Sequence, residues 1–326
     1  MASASCRPRP DMRRRALLGG MLAAPRLARA EARAVRVVNA YAAGGTADIV
    51  CRLLFRSLAE RTGRAYVVEN RPGAAGTIAA AMVARAPPDG ETLLYDATAF
   101  AVNPALFGPK LPYSAREDFL PVYLSLVTPN TIIATDRFPP RGVRALIEAA
   151  KAAPGRIDAG TTGIGSAQHI TLALFNAMAG VEINHVVYRD APTLRNDVAA
   201  GRVDLQVSNV PGTVTLLAGG KVRALAHTGL APVAVLPGVE AVAETLPGFE
   251  TFEWNGVFLP AGTPEGIRQS LNQALNAIAA EPAVAARVAA MGGIAWPNAP
   301  AEFAQFLDRQ YALHARVVRS ANIRID

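Results

Sequence analysis

Val35-Arg36-Val37-Val38-Asn39-Ala40-Tyr41-Ala42-Ala43-Gly44-Gly45-Thr46-Ala47-Asp48 opens the folded part of the chain and decides how the rest is read. The β-branched run Val35 to Val38 predicts a strand, and the pattern after the glycines predicts a helix from about Thr46 to Arg61 with Ile49, Leu53, Leu54 and Leu58 on one face. Strand, glycine turn and helix in that order form a βα unit, the building block of a mainly parallel sheet.

The unit repeats outward from there. Tyr66 to Glu69 predicts a second strand, followed by the turn Asn70-Arg71-Pro72-Gly73, an Ala-rich helix to Arg85, the stop Pro87-Pro88-Asp89-Gly90 and a third strand at Thr92 to Tyr95. Residues 104–121 read as irregular, and Val122 to Val127 and Thr131 to Thr135 read as two strands split by Pro129, where a crossing between lobes is expected. A second series follows, with helices at 142–153, 166–179, 192–200 and 212–218 and strands at 156–160, 184–188, 203–207 and 222–227. Residues 229–247 read as loop, Gly256 to Leu259 as a strand, and three helical segments close the chain and are expected to return to the first lobe. The fold class is therefore α/β, two doubly wound lobes joined by more than one crossing, with a ligand cleft between them.

Two stretches carry chemistry. Tyr41 to Asp48 and Gly160-Thr161-Thr162-Gly163-Ile164-Gly165-Ser166-Ala167-Gln168-His169 each place glycines between a strand and a helix, one in each lobe. Such turns let backbone N–H groups approach a ligand, and the helix start behind them carries unpaired donors and partial positive charge, so an anion is the natural guest. Each turn alone is also compatible with steric needs only, with Thr46, Asp48 and Ser166 serving their own helix starts. Neither is a P-loop, and Gln168 stands where a dinucleotide fingerprint needs its third Gly.

Catalytic readings are weaker. Gln168 also breaks the Gly-x-Ser-x-Gly elbow around Ser166, and His169, His185, His227 and His314 show no metal-pair spacing. A secreted hydrolase using Ser166 and His169 lacks an evident orienting residue and oxyanion site. No catalytic residue, metal or cofactor is expected.

Composition sets the class and charge sets the compartment. The 326 residues are 51% hydrophobic and 18% charged, which excludes a disordered or fibrous chain. Most of the net charge of +7 lies in the first thirty residues, where Arg7, Arg9, Arg13, Arg14, Arg15, Arg26 and Arg29 face only Asp11. A nucleic-acid binder needs its cations on a folded face, so that partner is excluded. Arg13 to Arg15, the apolar run Ala16 to Ala24 and Ala28-Arg29-Ala30 read instead as an export signal cleaved after Ala30. Met12 is an alternative start, and both Sec and twin-Arg routes stay open. Pro25 and Arg26 end the apolar run far short of a membrane span. Of the two cysteines, Cys6 lies in the leader and Cys51 at helical spacing from Leu54 and Phe55, which predicts a buried thiol and no disulfide in the mature chain.

Taken together, several blocks resemble the Bug-type periplasmic solute-binding receptors of tripartite tricarboxylate transporters. They are Ala43-Gly44-Gly45-Thr46-Ala47-Asp48-Ile49, Val67-Val68-Glu69-Asn70-Arg71-Pro72-Gly73-Ala74-Ala75-Gly76, Ala86-Pro87-Pro88-Asp89-Gly90, Asn103-Pro104-Ala105-Leu106, Gly163 to His169, and Pro260-Ala261-Gly262-Thr263-Pro264. The resemblance implies a two-lobe Venus-flytrap fold of the second periplasmic-binding class. With the leader and the crossing read above, the expected organisation is a signal over 1–30, a first lobe over 31–128, a second over 129–253 with crossings, and a return to the first over 254–326. The resemblance also implies a small organic acid gripped by main-chain groups of the two loops. That maps onto Tyr41, Ala43, Gly44, Gly45, Thr46 and Asp48, and onto Thr161, Thr162, Gly163, Gly165, Ser166, Gln168 and His169, with Thr98, Asn103, Tyr188, Ser208 and Asn209 at other cleft positions. The expected partners are membrane transporter subunits, with a sensor kinase as the alternative output, and the protein is expected to be a monomer in the periplasm.

The chain departs from the family at three points. Ala40 and Ala42 stand near positions where the first loop usually has Pro, Val187-Tyr188-Arg189-Asp190 replaces a Pro-Tyr-Lys-Gly pattern, and Ser208 stands where Asp is common. The first leaves the loop backbone less constrained, the acid at Asp190 and the lost acid at Ser208 would redistribute charge around the cleft, and the solute stays open among di- and tricarboxylates, aromatic acids, amino acids and neutral analogues.

Overall fold

The computed structural model describes residues 34–294 and 297–325, so the leader, with Cys6 and the Ala30 cleavage point, lies outside the described residues. Val35–Asn39 forms β1, Gly44 at φ +81° turns the chain, and α1 (Thr46–Thr62) ends on Gly63 at φ +67°. The helix buries Ala47, Val50, Cys51, Leu54, Phe55 and Leu58, at the i, i+3, i+4, i+7 spacing of one face. That stripe is rotated from the expected one: the small residues Ala47 and Cys51 extend it on the side away from Ile49, which is exposed. Each large side chain fully buried there stabilises the lobe by about 1.5–3 kcal/mol.

β2 (Tyr66–Asn70) and β3 (Thr92–Ala97) flank β1 in parallel, with α2 (Thr77–Ala84) between them. Next come α3 (Ala99–Phe107) and β4 (Phe119–Thr135). Here the structure corrects two expectations. The start of the stretch read as irregular is helical, with Pro104 inside α3, and β4 is one 17-residue strand instead of two. Pro129 fits in it because it sits at a handover: pairing with β10 (Phe252–Pro260) ends at Phe252↔Pro129, and pairing with β7 (Leu205–Asn209) begins at Asn130↔Asn209. No ladder bond is needed from the nitrogen that has no hydrogen.

The second series is α4 (Val143–Ala152), β5 (Asp158–Thr161), α5 (Ala167–Ala179), β6 (Asn184–Val187), α6 (Ala191–Ala200), β7, α7 (Val210–Leu217), β8 (Val222–His227) and the short β9 (Glu240–Ala241). β9 and a 3-10 turn over 242–244 lie within the segment read as loop. All ten strands join in the order β2-β1-β3-β10-β4-β7-β5-β6, with β8 on β4 and β9 on β8. Outer pairs are parallel, whereas β4 and β10 run antiparallel to their neighbours in this path. β4 thus serves both lobes, its first half with β10 and its second with β7 and β8.

The terminal helices α8 (Glu265–Ala279), α9 (Pro282–Ala290) and α10 (Pro300–Ser320) pack on the first lobe. Leu275, Ile278, Val284 and Val288 join the core under α1, and Phe303, Phe306 and Tyr311 close the core around Trp254 and Phe258. A smaller cluster of Val102, Ile170, Ala173 and Val317 ties α3, α5 and α10 together across the lobes. No helix among the described residues is long and apolar enough to cross a membrane.

Candidate functional site

The first loop owes its shape to Asp48. Its carboxylate accepts from Gly44 N (2.9 Å), Asn70 Nδ2 (2.8 Å) and Arg52 Nε (2.9 Å), folding the turn back on the helix it precedes. Desolvation works against the charged carboxylate, but the Gly44 N–H, Asn70 and Arg52 outweigh it and hold Asp48 below the ordinary range. Asp48 is thus turned inward, while Ala43, Gly44 and Gly45 are exposed and Gly45 caps α1 without a side chain. The first-turn amides of α1 therefore lack a side-chain cap, and a bound anion would meet their partial positive charge.

The second loop uses glycine where the backbone demands it, at Gly163 (φ +105°) and Gly165 (φ +79°). Ser166 caps α5: its Oγ accepts from His169 N at 3.2 Å and donates to Gly163 O at 2.9 Å. His169 Nδ1 accepts from Gly165 N at 3.2 Å, and its ring stacks on His185 of β6 with centroids 3.9 Å apart. Burial pushes His169 down to about 3, with His185 adding to the shift, and burial pushes His185 down to about 4, so both rings are neutral near pH 7. His185 Nε2 lies against Thr161 Oγ1 at 2.6 Å, which ties the end of β5 to the same stack. Thr162 is exposed beside this anchor.

The two loops converge on four side chains. Asn209 caps α7 through Oδ1 to Gly212 N (2.9 Å), and its Nδ2 reaches both Thr46 Oγ1 (3.2 Å) and Glu253 Oε2 (3.0 Å). Gln168 Nε2 donates to the same Glu253 oxygen at 2.8 Å. Thr46, Gln168, Asn209 and Glu253 therefore form one polar cluster spanning α1, α5, the β7–α7 junction and the start of β10.

Other expected site residues are turned elsewhere. Thr98 is buried and its Oγ1 accepts from Trp254 N, while Asn103 is buried and donates to Ala75 O and the Tyr113 hydroxyl. Tyr188 donates its hydroxyl to Asp197 of α6 at 2.9 Å, within its own lobe. Ser208 is buried on β7, where its carbonyl accepts from Thr131. Tyr41 packs against the first-lobe cores near Asp96, at the end of β3. Asp96 is fully buried with Oδ2 unpaired. Burial drives its carboxyl up to about 8, the Ala97 N–H and Tyr41 hydroxyl opposing only part of the rise.

Glu253, Asp96 and His185 were not singled out as site residues. The one available sign was an acid in an otherwise apolar strand, Asp96 after Leu93-Leu94-Tyr95 and Glu253 before Trp254. Among the described residues no three His, Cys, Asp or Glu side chains are grouped to hold a metal ion.

Comparison with known proteins agrees with this architecture. The profile of the family described as "Tripartite tricarboxylate transporter family receptor" matches residues 50–323. A Pseudomonas sp. (strain P51) protein, "UPF0065 protein in tcbD-tcbE intergenic region", is 36% identical over 307 residues, 90% of each chain. Among solved structures, R. palustris Rpa4515 with adipate superposes with TM-score 0.84 at 32% identity, covering 90% of this chain and 98% of that one. MatC from Rhodopseudomonas palustris with bound malate gives TM-score 0.80 at 32% identity, covering 88% and 99%.

Proposed function

This chain belongs to the receptor family of the tripartite tricarboxylate transporters, and from that premise we propose that it captures a small organic carboxylate in the periplasm and delivers it to the membrane subunits of such a transporter. The observation that carries the reading is the cluster at the convergence of the two loops, where Asn209 of the second lobe bonds Thr46 of the first beside an uncapped helix start. A carboxylate between the loops would accept from the N-terminal amides of α1 and from the glycine loop before α5. Those contacts exist together only when the lobes are closed, so the solute draws a pre-existing open and closed equilibrium toward the closed form. The solved relatives that carry adipate and malate support the ligand class.

The hydrolase alternative loses support from geometry. Ser166 Oγ donates to Gly163 O, and His169 Nδ1 is occupied by Gly165 N, so the hydroxyl has no imidazole base in these contacts. Export through the leader with cleavage near Ala30 and a monomeric mature protein complete the proposal.

Native mass spectrometry of the purified protein, followed by thermal shifts with a panel of organic acids, tests it. A co-purifying acid, or one acid raising Tm by roughly 5 °C at about 100-fold over its Kd, is the expected result. No bound acid and no shift across di-, tri-, hydroxy-, amino- and aromatic acids would overturn the reading.

A further inference from the structure

Glu253 puts a carboxylate of the protein's own at the convergence of the two loops. Its Oε2 takes both amide donors, Gln168 Nε2 and Asn209 Nδ2, while Oε1 has no hydrogen-bond partner among the described residues, on a side chain that is half-buried. No ion pair among the described residues includes Glu253. Arg52, the cation nearest the first loop in sequence, is spent on Asp48 and Asn70. The first turns of α1 and α5 carry no Lys or Arg.

The consequences for a solute are opposite at its two ends. One carboxylate is served by backbone amides at the helix starts. A second carboxylate reaching the cluster would find Gln168 and Asn209 already engaged and, in front of it, a carboxyl of the protein that no cation neutralises. A protonated nitrogen reaching the same place would find an open acceptor of opposite charge. Burial, which raises the Glu253 carboxyl against the pull of Gln168 and Asn209, is the strain that such a cation relieves.

We propose that Glu253 sets the solute class, so that the cleft takes a carboxylate whose other end carries an ammonium or similar protonated nitrogen, in place of a plain dicarboxylate. The proposal rests on the carboxylate-receptor reading above and narrows it.

The test is calorimetric titration of the full chain at pH 7.5 with matched probes differing at one end only: succinate against 4-aminobutanoate, and adipate against 6-aminohexanoate. Wild type is expected to bind the amino member of at least one pair ten or more times more tightly than its dicarboxylate partner. Glu253→Gln, which keeps the shape and removes the charge, is expected to lose at least tenfold for the amino member and to narrow or reverse the preference. Glu253→Asp, which keeps the charge, is expected to retain its sign. Preference of wild type for the dicarboxylate, or a preference unchanged in Glu253→Gln, overturns the proposal and leaves the receptor reading in place. Binding of no probe overturns the proposal, and together with no acid found in the wider panel above it overturns the receptor reading as well.

Discussion

Asp96 is a carboxyl kept neutral by its surroundings, and its cost appears as pH dependence. The folded value of about 8 lies above the ordinary 3.8, so its contribution to stability is full below about pH 4 and is lost as pH rises through 8. The histidines work in the opposite sense: with His169 at about 3 and His185 and His314 at about 4, stability is lost as pH falls below the ordinary 6.5 toward those values. Asp96→Asn removes only the first effect, so the difference between variant and wild type isolates it. Urea unfolding is expected to show the variant gaining on wild type by roughly 2–4 kcal/mol between pH 5 and pH 8, since each proton released over a pH unit is worth about 1.4 kcal/mol. A difference that stays flat across that range would mean that Asp96 is ionised in the fold. At this scale the sequence was least legible. Thr46 and Gln168 were candidates from the glycine loops they follow and Asn209 from the family resemblance, but nothing in sequence spacing shows that Thr98 and Asn103 turn inward, or that Glu253 reaches Gln168 from 85 residues away.

Elements were more legible, because a βα unit announces itself twice, once in its hydrophobic period and once in the glycine that ends the strand. α1, α5 and the strands before them fell close to their expected bounds for this reason. α3 was missed because the Pro- and aromatic-rich stretch from Pro104 reads as irregular, whereas the buried Phe100 and Val102 hold the turn in place against Trp254, Phe258 and the α10 side chains. The two glycine loops make a matched pair for mutation. Gly44 has φ +81° and open space where a Cβ would stand, so Gly44→Ala is expected to cost about 1 kcal/mol from backbone strain alone. Gly165 has φ +79°, and a Cβ there would stand 2.6 Å from Leu106 Cδ2 of α3. Gly165→Ala is expected to cost up to about 1 kcal/mol more than Gly44→Ala in urea unfolding, because Leu106 must move aside. Equal costs would show that the second loop is not seated by its contact with α3.

For the whole molecule, the sheet is both the frame and the constraint on movement. β4 passes from one lobe to the other without a break, β10 leaves it at Pro129, and their antiparallel ladder fixes where the lobes can bend. Any opening of the cleft must therefore separate groups lying off that ladder, and the Asn209–Thr46 bond is one of them. Thr46→Val deletes this bond while leaving Asn209 its contacts with Gly212 and Glu253. A net hydrogen bond of about 1 kcal/mol predicts a shift of roughly fivefold toward the open form, with affinity for the solute falling by up to that factor. Because Thr46 stands at the candidate site, affinity alone would not separate a lost solute contact from a lost closure contact. Small-angle scattering of the solute-free protein separates them: the variant is expected to have a larger radius of gyration than wild type, and the two are expected to converge when saturated. Identical scattering with weakened binding would assign the hydroxyl to the solute, and the equilibrium between open and closed forms would then be set by other contacts, first among them the α3, α5 and α10 cluster around Val102 and Ile170.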